Sequence, residues 1–252
     1  MKPQQRIEKI VKWISAYAQK HKISTLVVGI SGGIDSSVVS TLCARTGINT
    51  IAVSMPIRQS KATHALSLDH GQWLLDNFTN VSHEVVDLTS PFKHFEKALD
   101  GFSSELAFAN SRARLRMMCL YQIAQSRGGI VVGTGNRVED FGVGFFTKYG
   151  DGGVDISPIG DCMKTDVWAM GECLNIDPAI IAAAPTDGLW ADERTEQDQL
   201  GMSYPELETM MQMSEAGFKV SAKDRAKMKR YLELRAQNMH KMQPIPVCTF
   251  KK

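Results

Sequence analysis

Residues 26–39 read LVVGISGGIDSSVV, and this stretch decides the fold of the chain. The apolar residues at its start are typical of a short strand buried in a parallel sheet. Ser31, Gly32 and Gly33 predict a sharp turn, after which Asp35 lies in the first turn of a helix. Glycines let the backbone approach a ligand closely, and a helix start offers free N–H groups and the positive end of the helix dipole. The stretch therefore predicts a phosphate-binding loop.

The class of this loop depends on the residues that accompany the glycines. It has neither the lysine-serine or lysine-threonine pair of ordinary P-loop NTPases nor the G-x-G-x-x-G spacing of dinucleotide-binding folds. The pattern S-G-G-x-D-S at residues 31–36 resembles the pyrophosphate loop of the N-type ATP pyrophosphatases, which cleave ATP to AMP and pyrophosphate. The alternative is a serine- and glycine-rich turn without a ligand. The predicted strand and helix on either side favour ATP binding.

Strands and helices alternate along the chain. This alternation predicts an α/β fold, a doubly wound parallel sheet with helices on both faces. No repeat or linker is visible, and we expect residues 1–252 to form a single domain. The predicted strands cover 26–30, 49–55, 81–88 and 129–134. The predicted helices cover 4–20, the segment from the loop to 45, 60–78, a segment that opens at 91, 105–127, 164–174, 179–183, 205–214 and 221–241.

The strand ends predict where the ligand lies. In doubly wound sheets it binds at the carboxyl ends of the strands, near the point where the strand order reverses. Ser31 and Thr134 both stand at such ends, so we place them in one site. Residues 136–153 and 187–200 lack periodicity, and we expect them to bury little apolar surface and to close as lids over the substrates. The alternative for both stretches is a solvated loop.

Composition excludes several classes of protein. The chain has 29 basic and 27 acidic residues, so its total charge shows no nucleic-acid footprint. Its five cysteines form no C-x-x-C pair and predict reduced thiols rather than a disulfide or zinc framework. We recognise no signal peptide and no apolar run of membrane-spanning length. We therefore expect a cytoplasmic protein that binds small molecules, with neither a nucleic acid nor a membrane as partner.

Two carboxylates follow strand ends. Asp35 follows the first strand, and Glu139 follows the fourth. Because Mg²⁺ favours oxygen ligands and keeps some of its waters, this pair could hold an Mg²⁺ that also contacts the phosphates of ATP. Taken singly, Asp35 could cap its helix and Glu139 could be a solvated loop charge. The neighbouring phosphate loop favours the metal site.

Lysines are candidates for the opposite charge. Lys148 and Lys164 bracket the glycine-rich loop. A basic group there would stabilise the negative charge that builds up on the leaving pyrophosphate. Each could equally be solvated. His240 and Lys241 lie in a last helical turn, a position that the helix dipole alone favours.

Three arginines lie on one predicted helix. Successive residues turn by about 100°, so Arg114 points away from Arg112 and Arg116. Either face could clamp a phosphate or form a surface ion-pair stripe. The surface stripe is the default interpretation.

Several further stretches resemble NAD⁺ synthetase. Residues 133–140 read GTGNRVED, residues 144–155 read GFFTKYGDGGVD, and residues 110–117 read NSRARLRM. The pair Pro185-Thr186 and the run LGMSY at 200–204 also match. The segment FFTKYGDGG is highly specific, because sulfur-transfer and guanylate-forming relatives share only the first loop. The resemblance covers essentially the whole chain and implies a fold similar to that of the adenine-nucleotide alpha hydrolases.

The resemblance implies a ligand for each matching position. The positions that match the family's ATP-binding residues are Gly29, Ile30, Ser31, Gly32, Gly33, Ile34, Asp35, Ser36, Thr134, Lys164 and Thr186. Its deamido-NAD⁺-binding positions are Arg114, Lys148, Asp155, His240 and Lys241. Its Mg²⁺ ligands are Asp35 and Glu139, and we expect Asp35, Lys148 and Lys164 to be catalytic.

The implied reaction is an ATP-dependent amidation. The nicotinate carboxylate of deamido-NAD⁺ attacks the α-phosphorus of ATP and releases pyrophosphate, and ammonia then displaces AMP. Basic side chains and Mg²⁺ would offset the negative charge on the phosphates. The length of the chain leaves no room for a glutaminase domain beside this fold, so we expect free ammonia as the nitrogen source. The resemblance also implies a homodimer with the dinucleotide site near the subunit interface.

Two other readings stay open at this point. One is another pyrophosphate-loop adenylating enzyme, such as a tRNA-thiolating or GMP-synthetase-like enzyme. The other is a non-catalytic adenine-nucleotide sensor. A sensor would need neither the Asp35–Glu139 pair nor a lysine near the phosphates, and pyrophosphate release from ATP distinguishes the three.

Overall fold

The structure is a computed structural model that describes residues 1–186, 195–218 and 220–250. Its strands are β1 (Thr25–Gly29), β2 (Asn49–Ser54), β3 (Val81–Val85) and β4 (Gly129–Val131). Its first five helices are α1 (Pro3–His21), α2 (Ile34–Ala44), α3 (Lys61–Asn77), α4 (Thr89–Ala98) and α5 (Glu105–Ser126). The later ones are α6 (Lys164–Cys173), α7 (Pro178–Ala182), α8 (Glu196–Leu200), α9 (Tyr204–Ala216) and α10 (Arg225–Met242). Asp100–Phe102 and Ala222–Asp224 are short 3₁₀ turns, and Val138–Val143 is π-helical.

The described strands form one parallel sheet in the order β3-β2-β1-β4. The chain moves outward from β1 to β3 and then returns to the other side of β1 with β4. The strand order therefore reverses between β1 and β4, which is where a doubly wound sheet binds its ligand. The predicted fold class is confirmed, and so are the type and order of the predicted strands.

Helices cover both faces of the sheet because side chains alternate along each strand. Leu26 and Val28 of β1 pack with α1, α2 and α6 in one buried cluster. Val27, between them, packs with α4 and α5 in another. This two-sided burial explains why β1 is a continuous apolar run, and it holds the carboxyl end of β1 rigidly between α2 and α5.

A third apolar cluster lies outside these two layers. Val138 and Val143 of the π-helical turn are fully buried, and they pack against α9 and α10. The expectation that residues 136–153 bury little apolar surface is therefore wrong. The signal was missed because a π-helical turn follows neither the 3.6-residue nor the 2-residue period, and such turns are frequent at functional sites.

The second predicted lid is only partly described. Residues 187–194, which include Trp190, lie outside the described residues, so the lid prediction there stays a prediction. Residues 196–200 form helix α8, with Glu196 and Leu200 buried. The sequence pattern that indicates the start of α8 is a capping box, in which Thr195 accepts from the Asp198 N–H. In the described parts of the chain, the helices are too short or too polar to cross a membrane.

Candidate active site

The loop between β1 and α2 is folded by its own serines. The Ser36 hydroxyl donates to the Gly33 carbonyl at 2.9 Å and accepts from the Ser31 N–H at 3.1 Å. Ser31 Oγ in turn accepts from the Gly33 N–H at 3.2 Å. The first N–H groups of α2 lack upstream carbonyl partners, as at any helix start, and they point out of this loop. The arrangement fits the phosphate cradle that the sequence predicts.

Helix α3 supports the loop from behind. Gly32 has φ +87°, and a Cβ there would lie 2.6 Å from the Thr63 carbonyl oxygen, so only glycine fits. Ser67 Oγ donates to the Ile30 carbonyl at 2.9 Å and also contacts Ser54 Oγ of β2 at 2.6 Å. The end of β1 is therefore tied to both α3 and β2 immediately before the loop begins.

A cavity of about 600 Å³ opens at the carboxyl ends of β1, β2 and β4. All eleven positions that the resemblance assigns to ATP line it, from Gly29–Ser36 to Thr134, Lys164 and Thr186. Glu139 lines it as well. The predicted meeting of Ser31 and Thr134 in one site is confirmed. The volume suits small-molecule substrates.

Lys164 lies at the centre of the charged wall of this cavity. It is the first residue of α6, and its side chain is 2% exposed. Its Nζ lies 2.5 Å from Asp35 Oδ2, 3.0 Å from Glu139 Oε1 and 3.9 Å from Glu196 Oε2. Burial alone would lower the pKa of Lys164, but the three carboxylates raise it well above its ordinary value. The ammonium therefore stays charged at any physiological pH.

Tyr204 joins two of these carboxylates. Its hydroxyl lies 2.5 Å from Glu139 Oε1 and also contacts Glu196 Oε2. One phenol proton cannot serve both contacts, so both are hydrogen bonds only when a carboxyl holds a proton. Burial, together with the charge of Glu139, raises the pKa of Glu196, which makes Glu196 the group that holds it. Neither Tyr204 nor Glu196 was singled out from the sequence.

Two further side chains position the charged wall. Asn136, fully buried, donates to Asp35 Oδ1 at 3.1 Å and accepts from the Glu139 N–H at 3.2 Å. It therefore fixes the two predicted metal ligands relative to each other. Glu208 of α9 accepts from the N–H and the hydroxyl of Thr165 at 2.9 and 2.7 Å. This contact caps α6 and holds Lys164 at the helix start.

The predicted second-substrate residues lie mostly outside the cavity lining. Of the five, only Lys241 lines it. Arg114 Nε donates to the Lys148 carbonyl at 3.2 Å, Lys148 Nζ donates to the His240 carbonyl at 3.2 Å, and Lys241 Nζ donates to the Phe146 carbonyl at 2.7 Å. The structure thus brings Arg114, Lys148, His240 and Lys241 together at one edge of the cavity. Their roles toward a substrate stay predictions.

Lys148 and Asp155 stand apart from the predicted chemistry. Lys148 is not part of the cavity wall that Lys164 shares with Asp35, although both lysines were predicted to be catalytic. Asp155 Oδ2 accepts from the Val131 N–H at 2.7 Å, and its Oδ1 accepts from the Tyr121 hydroxyl at 3.2 Å. These bonds secure the edge of β4, so the structure gives Asp155 a role in the sheet.

The donor set of the cavity fits Mg²⁺. Asp35 and Glu139 present carboxylate oxygens beside the phosphate loop, and Mg²⁺ is typically held by one or two carboxylates together with substrate phosphates. Among residues 1–186, 195–218 and 220–250, no group of three or more His, Cys, Asp or Glu side chains could hold a metal ion. Three further acidic side chains line the cavity, Asp140, Asp151 and Glu196, and burial raises the pKa of each.

The interpretation of Arg116 as part of a surface ion-pair stripe is wrong. It lies in the cavity wall and is not exposed, because it stands on the helix face that carries Ala113 and Leu120. This placement was visible in the sequence, since residue 116 is three positions from one and four from the other. Arg114 is exposed on another face, as predicted.

Comparison with known proteins gives consistent results. The sequence model of the NAD synthase family matches residues 6–245. The NH₃-dependent NAD⁺ synthetase of Thermoplasma acidophilum is 36% identical, over 94% of each chain. The structure of NMN synthetase from Francisella tularensis superposes with a TM-score of 0.88 at 31% identity, over 99% of this chain and 100% of the other. The NH₃-dependent NAD synthetase from Campylobacter jejuni gives 0.80 at 25% identity, over 99% and 100%.

Proposed function

The chain belongs to the NAD synthase family, and on that premise we propose that it uses ATP and ammonia to amidate the nicotinate carboxylate of deamido-NAD⁺. The products are NAD⁺, AMP and pyrophosphate. The observation that carries the proposal is that the phosphate loop and Lys164 line the same cavity. The enzyme is a ligase that forms a C–N bond.

In the first step a carboxylate oxygen of the nicotinate attacks the α-phosphorus of ATP. The bond from that phosphorus to the bridging oxygen breaks, and pyrophosphate leaves with the electron pair. The N–H groups at the start of α2 and the hydroxyl of Ser31 bind the departing phosphates. The Lys164 ammonium, which is 2% exposed in the same wall, stabilises their growing negative charge.

The wall carboxylates have a separate role. Asp35 and Glu139 would hold Mg²⁺, which when bound neutralises phosphate charge. Asn136 helps to position the two residues, because it donates to the Asp35 carboxylate and accepts from the backbone N–H of Glu139. Lys164 lies between them and limits their repulsion. The Mg²⁺ site is part of the proposal and rests on this oxygen donor set.

In the second step the nitrogen of ammonia attacks the carbonyl carbon of the adenylate. The carbon–oxygen bond to AMP breaks, the amide forms, and a proton leaves the nitrogen. Adenylation is what makes this step feasible, because a free carboxylate is a poor acyl donor and AMP is a good leaving group. Ammonia as the nitrogen source is supported by the relatives named NH₃-dependent NAD⁺ synthetases, whereas the assembly into a homodimer stays a prediction.

A second acid substrate is favoured by one observation. The Francisella tularensis protein with a TM-score of 0.88 is named an NMN synthetase, and the match extends over both chains almost completely. Nicotinate mononucleotide carries the same reacting carboxylate as deamido-NAD⁺ and lacks the adenylyl half. We therefore propose it as the alternative amide acceptor of this chain.

One assay tests these proposals together. Pyrophosphate release from ATP should require an acid substrate, and amide formation should require ammonium. We expect turnover with deamido-NAD⁺ or nicotinate mononucleotide, and the ratio of their kcat/KM values identifies the preferred acid. At fixed total ammonium the rate should rise with pH, because more of it is free ammonia.

Three outcomes of the same assay would contradict these proposals. Equal pyrophosphate release with and without the acid would indicate an ATP pyrophosphatase with a different acceptor. Binding of ATP without any release would favour the nucleotide sensor. Efficient turnover with glutamine in a homogeneous preparation would overturn the prediction of ammonia as nitrogen source.

Arg114 is expected to act on the acid substrate and not on ATP. It is exposed at the edge of the cavity, and its Nε donates to the neutral Lys148 carbonyl, so its charge is available for a phosphate. Arg114→Ala should raise KM for the acid by about tenfold or more, the effect of losing one hydrogen bond to a charged group. KM for ATP should change little.

The control for Arg114 is Arg127→Ala, an exposed arginine at the other end of α5. It should leave both KM values unchanged. Equal increases in KM for acid and ATP in Arg114→Ala would instead indicate a structural role.

The location of the protein in the cytoplasm and its organisation as a single domain also remain predictions.

A further inference from the structure

Arg116 is a half-buried cation that forms no salt bridge with a carboxylate among the described residues. Its Nη2 is shielded from solvent and has no hydrogen-bond partner among the described residues. Its Nε donates to the Met55 carbonyl at 3.0 Å, and this is the one bond that the described residues accept from its five N–H groups. Such an arrangement is costly, because a charged group loses its hydration and gains little in return. Buried groups of this kind call for a functional explanation.

The surroundings show that packing alone does not explain the residue. Its nearest positions on the same helix face, Ala113 and Leu120, are apolar and buried. An apolar side chain at 116 would continue that face. Burial, followed by the nearby Arg112 charge, lowers the pKa of Arg116 to about 10 although the Asp151 charge opposes both, so the guanidinium is still charged at neutral pH. The chain therefore keeps a positive charge in the wall where an apolar residue would be easier to bury.

The position of Arg116 relates it to the substrates. It lines the same cavity as the phosphate loop, and its bond to Met55 places it at the carboxyl end of β2. A Cβ on Gly29 would lie 3.2 Å from Met55 Cε and 3.4 Å from Leu120 Cδ1. Arg116, one turn before Leu120, thus stands next to the point where β1 leads into the loop. Lys164 serves the opposite, acidic wall.

We infer that Arg116 binds a phosphate oxygen of a nucleotide substrate. The inference rests on the proposed function for the identity of the two nucleotides, ATP and the nicotinate nucleotide, both of which carry the required phosphate. A planar guanidinium with free Nη groups offers two parallel N–H bonds to one phosphate. The bound phosphate supplies the acceptor for Nη2 that the described residues do not provide.

The test compares stability with binding. Arg116→Met keeps an unbranched, flexible side chain and removes the guanidinium with its charge. We expect the ligand-free variant to have an unchanged or higher Tm, because a buried unpaired charge is removed. We expect its Kd for one nucleotide to rise by about tenfold or more and its Kd for the other to stay within about twofold. ATP and the nicotinate nucleotide are titrated separately by calorimetry, and Arg116→Lys should retain part of the affinity.

A neighbouring arginine provides the matched control. The Arg112 guanidinium lies 5.5 Å from the centre of the Phe92 ring, one helical turn earlier, and Arg112 is not among the lining residues. Arg112→Met should leave both Kd values within about twofold of the wild type. A large effect on ATP assigns Arg116 to an ATP phosphate, and a large effect on the nicotinate nucleotide assigns it to that substrate.

Three outcomes would overturn the inference. They are unchanged Kd values for both nucleotides in Arg116→Met, equal losses toward both, and a lower Tm of the ligand-free variant, which would show a structural arginine. Failure of the proposed function gives a different pattern. A wild type that binds ATP and ignores nicotinate nucleotides contradicts the amidation, while the ATP titration still decides the role of Arg116.

Discussion

Lys164→Met is expected to lose pyrophosphate release by about 10²- to 10³-fold or more, the range for removing one group that stabilises developing charge. The residue also holds Asp35, Glu139 and Glu196 together, so the variant is expected to be less stable by about 3–5 kcal/mol, as when one partner of a buried ion pair is removed. Steady-state kinetics and denaturant unfolding measure the two effects.

The stability loss should depend on pH. Burial and the Glu139 charge raise the pKa of Glu196, and Lys164 opposes them, so its removal raises that pKa further. A carboxyl with a raised pKa in the folded state binds its proton more tightly there than in the unfolded chain. The free energy of unfolding of Lys164→Met should therefore be largest in acid and should fall as pH rises through the raised pKa of Glu196.

Two variants separate this result from a general effect of losing a lysine. Lys229, 78% exposed and 3.9 Å from Glu233, is part of a surface pair, and Lys229→Met should keep both rate and stability. Lys164→Arg keeps the charge, and it should recover much of the stability while losing rate, because the fork is larger than an ammonium. A Lys164→Met variant with near-normal turnover would remove Lys164 from the reaction.

The sequence predicted the ATP side of the site well because that information is local. The phosphate loop is a contiguous motif, and the strand and helix beside it are strongly patterned. The rule that ligands bind at a reversal of strand order then placed Thr134 beside Ser31, although the two are far apart in the chain. The resemblance to a family supplied Lys164 and Thr186, which no local pattern indicates.

The remaining part of the site depends on tertiary packing. Glu196 and Tyr204 reach Glu139 and Lys164 only because α8 and α9 pack against the π-helical turn. The polar sequence around residue 196 predicts a solvated stretch. Asn136 is similar, since an amide in a glycine-rich segment gives no sign that it will be fully buried and bonded to both the Asp35 carboxylate and the Glu139 N–H.

From the sequence alone, Glu139 could be a solvated loop charge, which would contribute little to folding. The structure corrects this premise, because its Oε1 accepts from both Lys164 and Tyr204. Glu139→Ala removes these bonds and leaves the ammonium with fewer counter-charges, so lost activity in that variant would have two explanations. Glu139→Gln is the better test, since its amide oxygen can still accept both hydrogen bonds and only the charge is lost.

Glu139→Gln is expected to raise the Mg²⁺ concentration for half-maximal rate by at least about tenfold, since even loss of an outer partner of a metal ligand costs about 10- to 100-fold in metal affinity. Without Mg²⁺ and ATP its Tm should stay close to that of the wild type. The increase in Tm that Mg²⁺ gives to the ATP-bound enzyme should become smaller, which is a readout independent of turnover. Glu215→Gln, at a surface pair with Arg137, is the matched control and should change neither quantity. An unaltered Mg²⁺ dependence in Glu139→Gln would show that the metal is not held by Glu139, and the carboxylate would then serve only to position Lys164.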